Sequence, residues 1–230
     1  MATGVDASRL PAEEAGMRAE PRYWLPLMVD AYEALKELAK RYGAELVVAG
    51  AGAYSLHVEP DTTRHVDLVL SSPLGVQVLV ELLDGLRKHL EGSGYRVVGA
   101  RVQHGRAPED WVAQLFVAVA PGLVVAVEVF NLLAVRPLSL YETVETRHAG
   151  RALRVLSLES WVASKLADPN GVDAWNVRRM ERAVDRGLDK GRLYGVLAGL
   201  GMHETVRLNA RSVLERTASG RLRELLSALA

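Results

Sequence analysis

The stretch Leu46 to Leu70, LVVAGAGAYSLHVEPDTTRHVDLVL, gathers residue types that could do chemistry. An apolar strand runs into Gly50, Ala51 and Gly52, and a second strand carries His65 and Asp67. Side chains two apart on a strand share a face, so His65 and Asp67 project together while Val66 and Leu68 face the core. Farther on, Glu128 is the only charge in the strand-like run Val125 to Phe130. An ionised carboxylate is expensive to bury unless it is paired or bound to metal.

Two readings of the glycine turn compete. Gly50-Ala-Gly52-Ala-Tyr-Ser55 approximates the G-x-G-x-x-G/A turn of dinucleotide-binding folds, whose amides face a pyrophosphate. Ser55 replaces the third small residue, however, and the helix available before Pro60 is short for a crossover between parallel strands. The second reading is a family resemblance. Gly50-Ala51, thirteen intervening residues and then His65-Val66-Asp67 resemble the first motif of the nucleotidyltransferase superfamily, above all its small abortive-infection toxin-like and antitoxin-like members. Ala53 and Thr63 also fit that pattern. Downstream, Val155-Leu-Ser-Leu-Glu-Ser-Trp-Val-Ala-Ser-Lys165-Leu-Ala-Asp168 resembles a second toxin-like segment. Arg178 to Asp185 matches the next one only loosely.

The resemblance implies a mixed, twisted β-sheet in an α/β nucleotidyltransferase-like core covered by helices, followed by a helical C-terminal subdomain that closes a cleft. It implies a nucleoside triphosphate substrate, a divalent metal (magnesium or manganese), and an RNA, protein or small-molecule hydroxyl as acceptor. Asp67 and Glu128 would hold metal and His65 would complete the catalytic set. Gly50 and Gly52 would approach phosphates, and Lys165 would pair with phosphate charge. Three positions depart from the family pattern: His65 and Glu128 stand where Asp is usual, and Ala51 where Gly or Ser is usual. A neutral imidazole suits manganese or zinc better than oxygen-seeking magnesium. The rival reading is therefore a catalytically inactive binding protein on the same scaffold, a nucleotide sensor or toxin–antitoxin-like partner, with His65 merely hydrogen-bonded.

Periodicity supplies the elements that must position these residues. Leu27, Ala31, Leu35, Leu38 and Tyr42 give a helix over Arg22 to Tyr42 with Gly43 as its stop. Strand Glu45 to Ala49, a short helix near Gly50 to Val58 and strand Thr63 to Leu70 follow. Pro73 to Glu91 has helical spacing. Tyr95 to Gln103, Trp111 to Ala120 and Leu123 to Phe130 are strands, the last two joined at Pro121-Gly122. A further hairpin covers Thr143 to Leu156 around Ala149-Gly150. From Ser157, a good N-cap, the chain reads as helices broken near Asn170-Gly171, Gly187, Gly201 and Ser219. The expected organisation is a tail over 1–20, a core over 21–156 and a helical unit over 157–230. Arg178, Arg179 and Arg182 read as ordinary exposed helix residues, and His57, His89, His104, His148 and His203 are too far apart for a metal-binding spacing.

Composition bounds the classes. At 230 residues and 49% apolar, the chain can bury a substantial core. It has no cysteine, which removes disulfides, thiolate zinc sites and cysteine nucleophiles. Lys plus Arg equals Asp plus Glu at 28 each, so the basic surplus that drives non-specific nucleic-acid binding is absent. No apolar run reaches the roughly 18 residues of a bilayer span, and the expectation is a soluble cytoplasmic protein with no membrane partner. Arg outnumbers Lys 23 to 5, which fits a GC-rich genome or a heat-adapted protein.

Overall fold

The computed structural model describes residues 17–104 and 109–230. Of the expected tail, residues 1–16 lie outside the described residues. The remainder is docked: Ala19 is fully buried and exchanges two backbone hydrogen bonds with Thr63, at 2.6 and 3.0 Å.

Helix α1 (Pro21–Lys40) starts on a proline, tolerated at the first helical position because that N–H has no partner anyway. Trp24, Leu27, Met28, Ala31 and Leu35 form its buried stripe, and Gly43, at φ +72°, takes the left-handed conformation beyond its end. The wholly buried β1 (Leu46–Val48) runs into α2 (Gly50–His57), which returns the chain to β2 (His65–Leu70). Strand β2 lies antiparallel to β1, with Val48 opposite Leu68. A dinucleotide fold needs its helix to cross over to a parallel strand, so this return excludes that reading.

The chain continues through α3 (Val76–Gly92), β3 (Arg96–His104), β4 (Trp111–Ala120) and β5 (Leu123–Phe130). A 3-10 turn (Leu138–Leu140) and the hairpin β6 (Thr143–His148) and β7 (Arg151–Leu156) follow. The seven strands form one mixed sheet in the order β3-β4-β5-β2-β1-β7-β6. The pairs β2–β5 and β1–β7 are parallel and the rest antiparallel. The β6–β7 turn places Ala149 and Gly150 at φ +48° and +78°, as a two-residue primed turn requires.

Beyond β7 the chain is helical: α4 (Leu158–Leu166), α5 (Ala174–Asp185), α6 (Lys190–Leu200), α7 (His203–Arg216) and α8 (Gly220–Leu226). Side chains of Ser157, Asp173, Asp189 and Ser219 cap α4, α5, α6 and α8 by accepting from the first-turn amides. Helices α1 and α3 cover one face of the sheet, while α2 packs between β2 and α4. Trp161 of α4 is fully buried with its ring 5.2 Å from that of Tyr54 in α2. One hydrophobic cluster runs from Ala19 to Leu226, so the C-terminal helices share the core of the sheet. Among the described residues no helix is long and apolar enough to cross a membrane.

Candidate active site

Strand pairing assembles the site. Strands β2 and β5 run parallel in a register that sets Asp67 directly opposite Glu128 and His65 opposite Ala126. Alternation then puts His65, Asp67 and Glu128 on one face, away from Val66, Leu68, Val127 and Val129, which are fully buried. Thr63, itself buried, fixes the start of β2: its hydroxyl donates to the His65 carbonyl at 2.9 Å and accepts from the His65 amide at 3.2 Å.

His65, Asp67 and Glu128 each offer a ligand atom within 4.8 Å of the others, and they are the only such group among the described residues. His65 Nδ1 stands 3.6 Å from Glu128 Oε2. A cation bonded at about 2.1 Å needs its ligand atoms no more than about 4.2 Å apart, so drawing the side chains in by less than an ångström would make a site. The donor set, one imidazole and two carboxylates, suits manganese and zinc as well as magnesium. Glu128 is buried at 7% exposure. Burial pushes its carboxyl up to about 6, the nearby charge of Asp67 pushes the same way, and His65 and Gln114 oppose the shift.

Gly50 and Asp67 interlock. Gly50 adopts φ +50° at the first position of α2, and a β-carbon there would overlap Asp67 Oδ2 and lie 2.9 Å from Asp67 Cβ. Only glycine serves both demands. Gly52 also has a packing role. Its α-carbon faces the core, where a β-carbon would lie 2.7 Å from Val48 Cγ1 and 2.8 Å from Met28 Sδ, so it permits α2 to pack closely on β1 and α1.

A cavity of about 320 Å³ opens beside Asp67. Gly50, Asp67, Phe130, Val135, Lys165 and Asp168 lie on its wall. The helical part of the chain therefore supplies one side of it. Lys165, in the last turn of α4, makes no ion pair with a described residue. Its turn is held from behind by buried Asn209, whose amide donates to the carbonyls of Leu166 at 2.8 Å and Asp168 at 2.9 Å. Opposite, Leu133 and Arg136 exchange backbone hydrogen bonds of 2.8 and 3.0 Å across a tight turn. Its central residues, Ala134 and Val135, have φ of +48° and +58°. Such a conformation is a genuine outlier for a β-branched residue.

Arg179 also departs from expectation: it is buried at 6% exposure. Its Nε donates to Asp61 Oδ2 at 2.9 Å and its Nη2 to the Thr62 carbonyl at 3.0 Å, tying α5 to the loop that feeds β2. Arg182 pairs with Glu59 at the surface, and Arg178 is exposed as expected. His57 is satisfied by the Leu156 carbonyl, 2.7 Å from its Nε2. Sequence reasoning missed Gln114, Arg101 and Asn209. Gln114 carried a usable signal, as the only polar residue within the apolar run of β4.

No family model matches the chain, and a comparison with characterised proteins gives no match. Solved structures overlay on it loosely. An antigenic nucleotidyltransferase-like protein from Paracoccidioides brasiliensis is 15% identical over 82% of this chain and 94% of its own, with a TM-score of 0.42. The antibiotic-resistance factor ANT(2'')-Ia is 12% identical over 81% and 98%, with a TM-score of 0.43. A cytoplasmic RNA terminal U-transferase is 14% identical over 72% and 39%, with a TM-score of 0.34.

Proposed function

We propose that this chain transfers a nucleotidyl group from a nucleoside triphosphate to a hydroxyl acceptor, with a divalent metal held by His65, Asp67 and Glu128. The observation that carries the reading is the convergence of these three side chains beside Gly50 and a cavity walled by Lys165. The sequence resemblance to the nucleotidyltransferase superfamily points the same way, and the Lys165 segment favours its toxin-like branch, with RNA or protein as acceptor.

In this reading the triphosphate lies in the cavity with its charge against Lys165. The bound metal would supply Lewis-acid polarisation of the α-phosphate. The acceptor oxygen bonds to the α-phosphorus, the bond from that phosphorus to the β-phosphate bridge breaks, and pyrophosphate leaves. The departing hydroxyl proton goes to solvent in the cavity, and Glu128 keeps Oε1 for Gln114 and Oε2 for the cation position. His65 and Asp67 hold the position from the adjacent strand. A second reading, a non-catalytic nucleotide-binding protein, is favoured by His65 standing exposed where the family places an acid.

The test is a thermal-shift and calorimetric screen of the four ribonucleoside triphosphates with Mg²⁺, Mn²⁺ or Zn²⁺, followed by transfer of α-labelled nucleotide to RNA and protein acceptors. Ligand at 100 times its dissociation constant adds about 2.7 kcal/mol of stability. Binding with transfer supports the enzyme, binding without transfer supports the sensor, and no binding of any triphosphate with any of the metals overturns both.

A further inference from the structure

Four strands place a polar residue at the same level of the sheet. Arg101 on β3 is opposite Gln114 on β4, Gln114 is opposite Glu128 on β5, and Glu128 is opposite Asp67 on β2. The side chains are linked: Arg101 Nε donates to Gln114 Oε1, and Gln114 Nε2 donates to Glu128 Oε1. Gln114 and Glu128 are both buried, at 6% and 7% exposure. The guanidinium of Arg101 is exposed but lies 5.4 Å from the Phe116 ring centre, a second contact that fixes its place.

The direction of this row follows from donor chemistry. An amide side chain carries one acceptor oxygen and one donor nitrogen, whereas a guanidinium is a donor only. Arg101 therefore obliges Gln114 to turn its oxygen outward and its N–H groups toward Glu128. That engages Oε1 of the carboxylate and leaves Oε2, the oxygen 3.6 Å from His65 Nδ1, as the one free to join His65 and Asp67.

We infer that Arg101 and Gln114 are positioning residues that orient Glu128 so that a single oxygen faces the cation position shared with His65 and Asp67. The inference rests on the proposed metal site and adds to it a supporting row that reaches the edge strand of the sheet. Groups that orient a metal's ligands in this way are typically worth 10- to 100-fold in affinity.

The experiment titrates Mn²⁺ into the full chain, counting free ion by electron paramagnetic resonance, and records the melting temperature of each chelated protein. Gln114→Met keeps the side-chain volume and removes both hydrogen bonds; a 10- to 100-fold weaker Mn²⁺ affinity is expected. Arg101→Met changes an exposed residue, so the fold is kept, and a smaller loss in the same direction is expected. Arg101→Lys, still a donor only, restores affinity toward that of the unaltered protein. Unchanged Mn²⁺ affinity in both Gln114→Met and Arg101→Met, or failure of Arg101→Lys to rescue, overturns the inference while leaving the metal site standing. Absence of Mn²⁺, Mg²⁺ and Zn²⁺ binding by the unaltered protein overturns the site itself and the inference with it.

Discussion

Gly50 and Asp67 occupy one another's space: the carboxylate sits where any side chain at position 50 would begin. Gly50→Ala should therefore displace Asp67 and also strain a left-handed residue, costing about 1–2 kcal/mol in the metal-free protein. Its Mn²⁺ affinity should fall at least tenfold in a calorimetric titration. Gly52→Ala is the control, because its β-carbon would press on Val48 and Met28 instead. It should lower the melting temperature and leave Mn²⁺ affinity within about twofold, read at a temperature where the protein is folded. Equal cation affinity in Gly50→Ala and the unaltered protein would show that Asp67 is not a ligand.

The buried carboxyl of Glu128 sets a pH dependence. Its folded value is raised from an unfolded value of 4.5 to about 6, so between those pH values the folded state binds more protons. Stability of the metal-free protein then falls as pH rises through this window, by about 2 kcal/mol for this group alone. Glu128→Gln removes this dependence. In chelated buffer the variant should gain melting temperature over the unaltered protein at pH 7.5 and lose that advantage near pH 4.5. A difference that does not vary with pH would mean that Glu128 titrates normally.

Ala134 and Val135 sit in left-handed backbone on the cavity wall. The double variant Ala134→Asn with Val135→Gly brings in residues suited to both positions of such a turn, and it should stabilise the protein by about 1–3 kcal/mol. For a chain of this size that is a rise in melting temperature of roughly 2–10 °C. No rise on differential scanning calorimetry would argue that the turn is relaxed by its surroundings.

Lys165 tests the triphosphate separately from the metal. Lys165→Met should weaken triphosphate binding by about 10- to 100-fold, the range expected for one hydrogen bond to a charged group. Mn²⁺ affinity without nucleotide should stay as it was. Loss of both together would place Lys165 in the fold rather than in the binding of phosphate.

Local signals were legible wherever one residue's chemistry dictated them. The stop at Gly43, the cap at Ser157, the helix break at Ser219 and the turns at Pro121-Gly122 and Ala149-Gly150 all appear where turn and capping chemistry puts them. Glu128 stood out as a candidate because a lone charge in an apolar strand demands a reason, whereas His65 and Asp67 stood out by the family resemblance and their shared strand face. The Gln114 link was hidden by one residue of register. Ala120 opposes Leu123 at the turn, and counting straight back from there would set Gln114 opposite Val129. The irregularity between Ala118 and Ala120 slips the pairing so that Gln114 meets Glu128. Arg179 was misread because its environment is made by a distant element, the Asp61–Thr62 loop, and the packing role of Gly52 was hidden for the same reason, since Met28 of α1 supplies part of it.

The parallel pairing of β2 with β5 has a further consequence for how the chain assembles. Asp67 and Glu128 are neighbours across the sheet, yet α3, β3 and β4 all lie between them in sequence. The β4–β5 hairpin can close on its own from local contacts, whereas docking it beside β2 closes a long loop and belongs to a slower, non-local step. Under the proposed function, cation affinity would arise only when that hairpin docks, and a bound Mn²⁺ signal during refolding would time its insertion into the centre of the sheet.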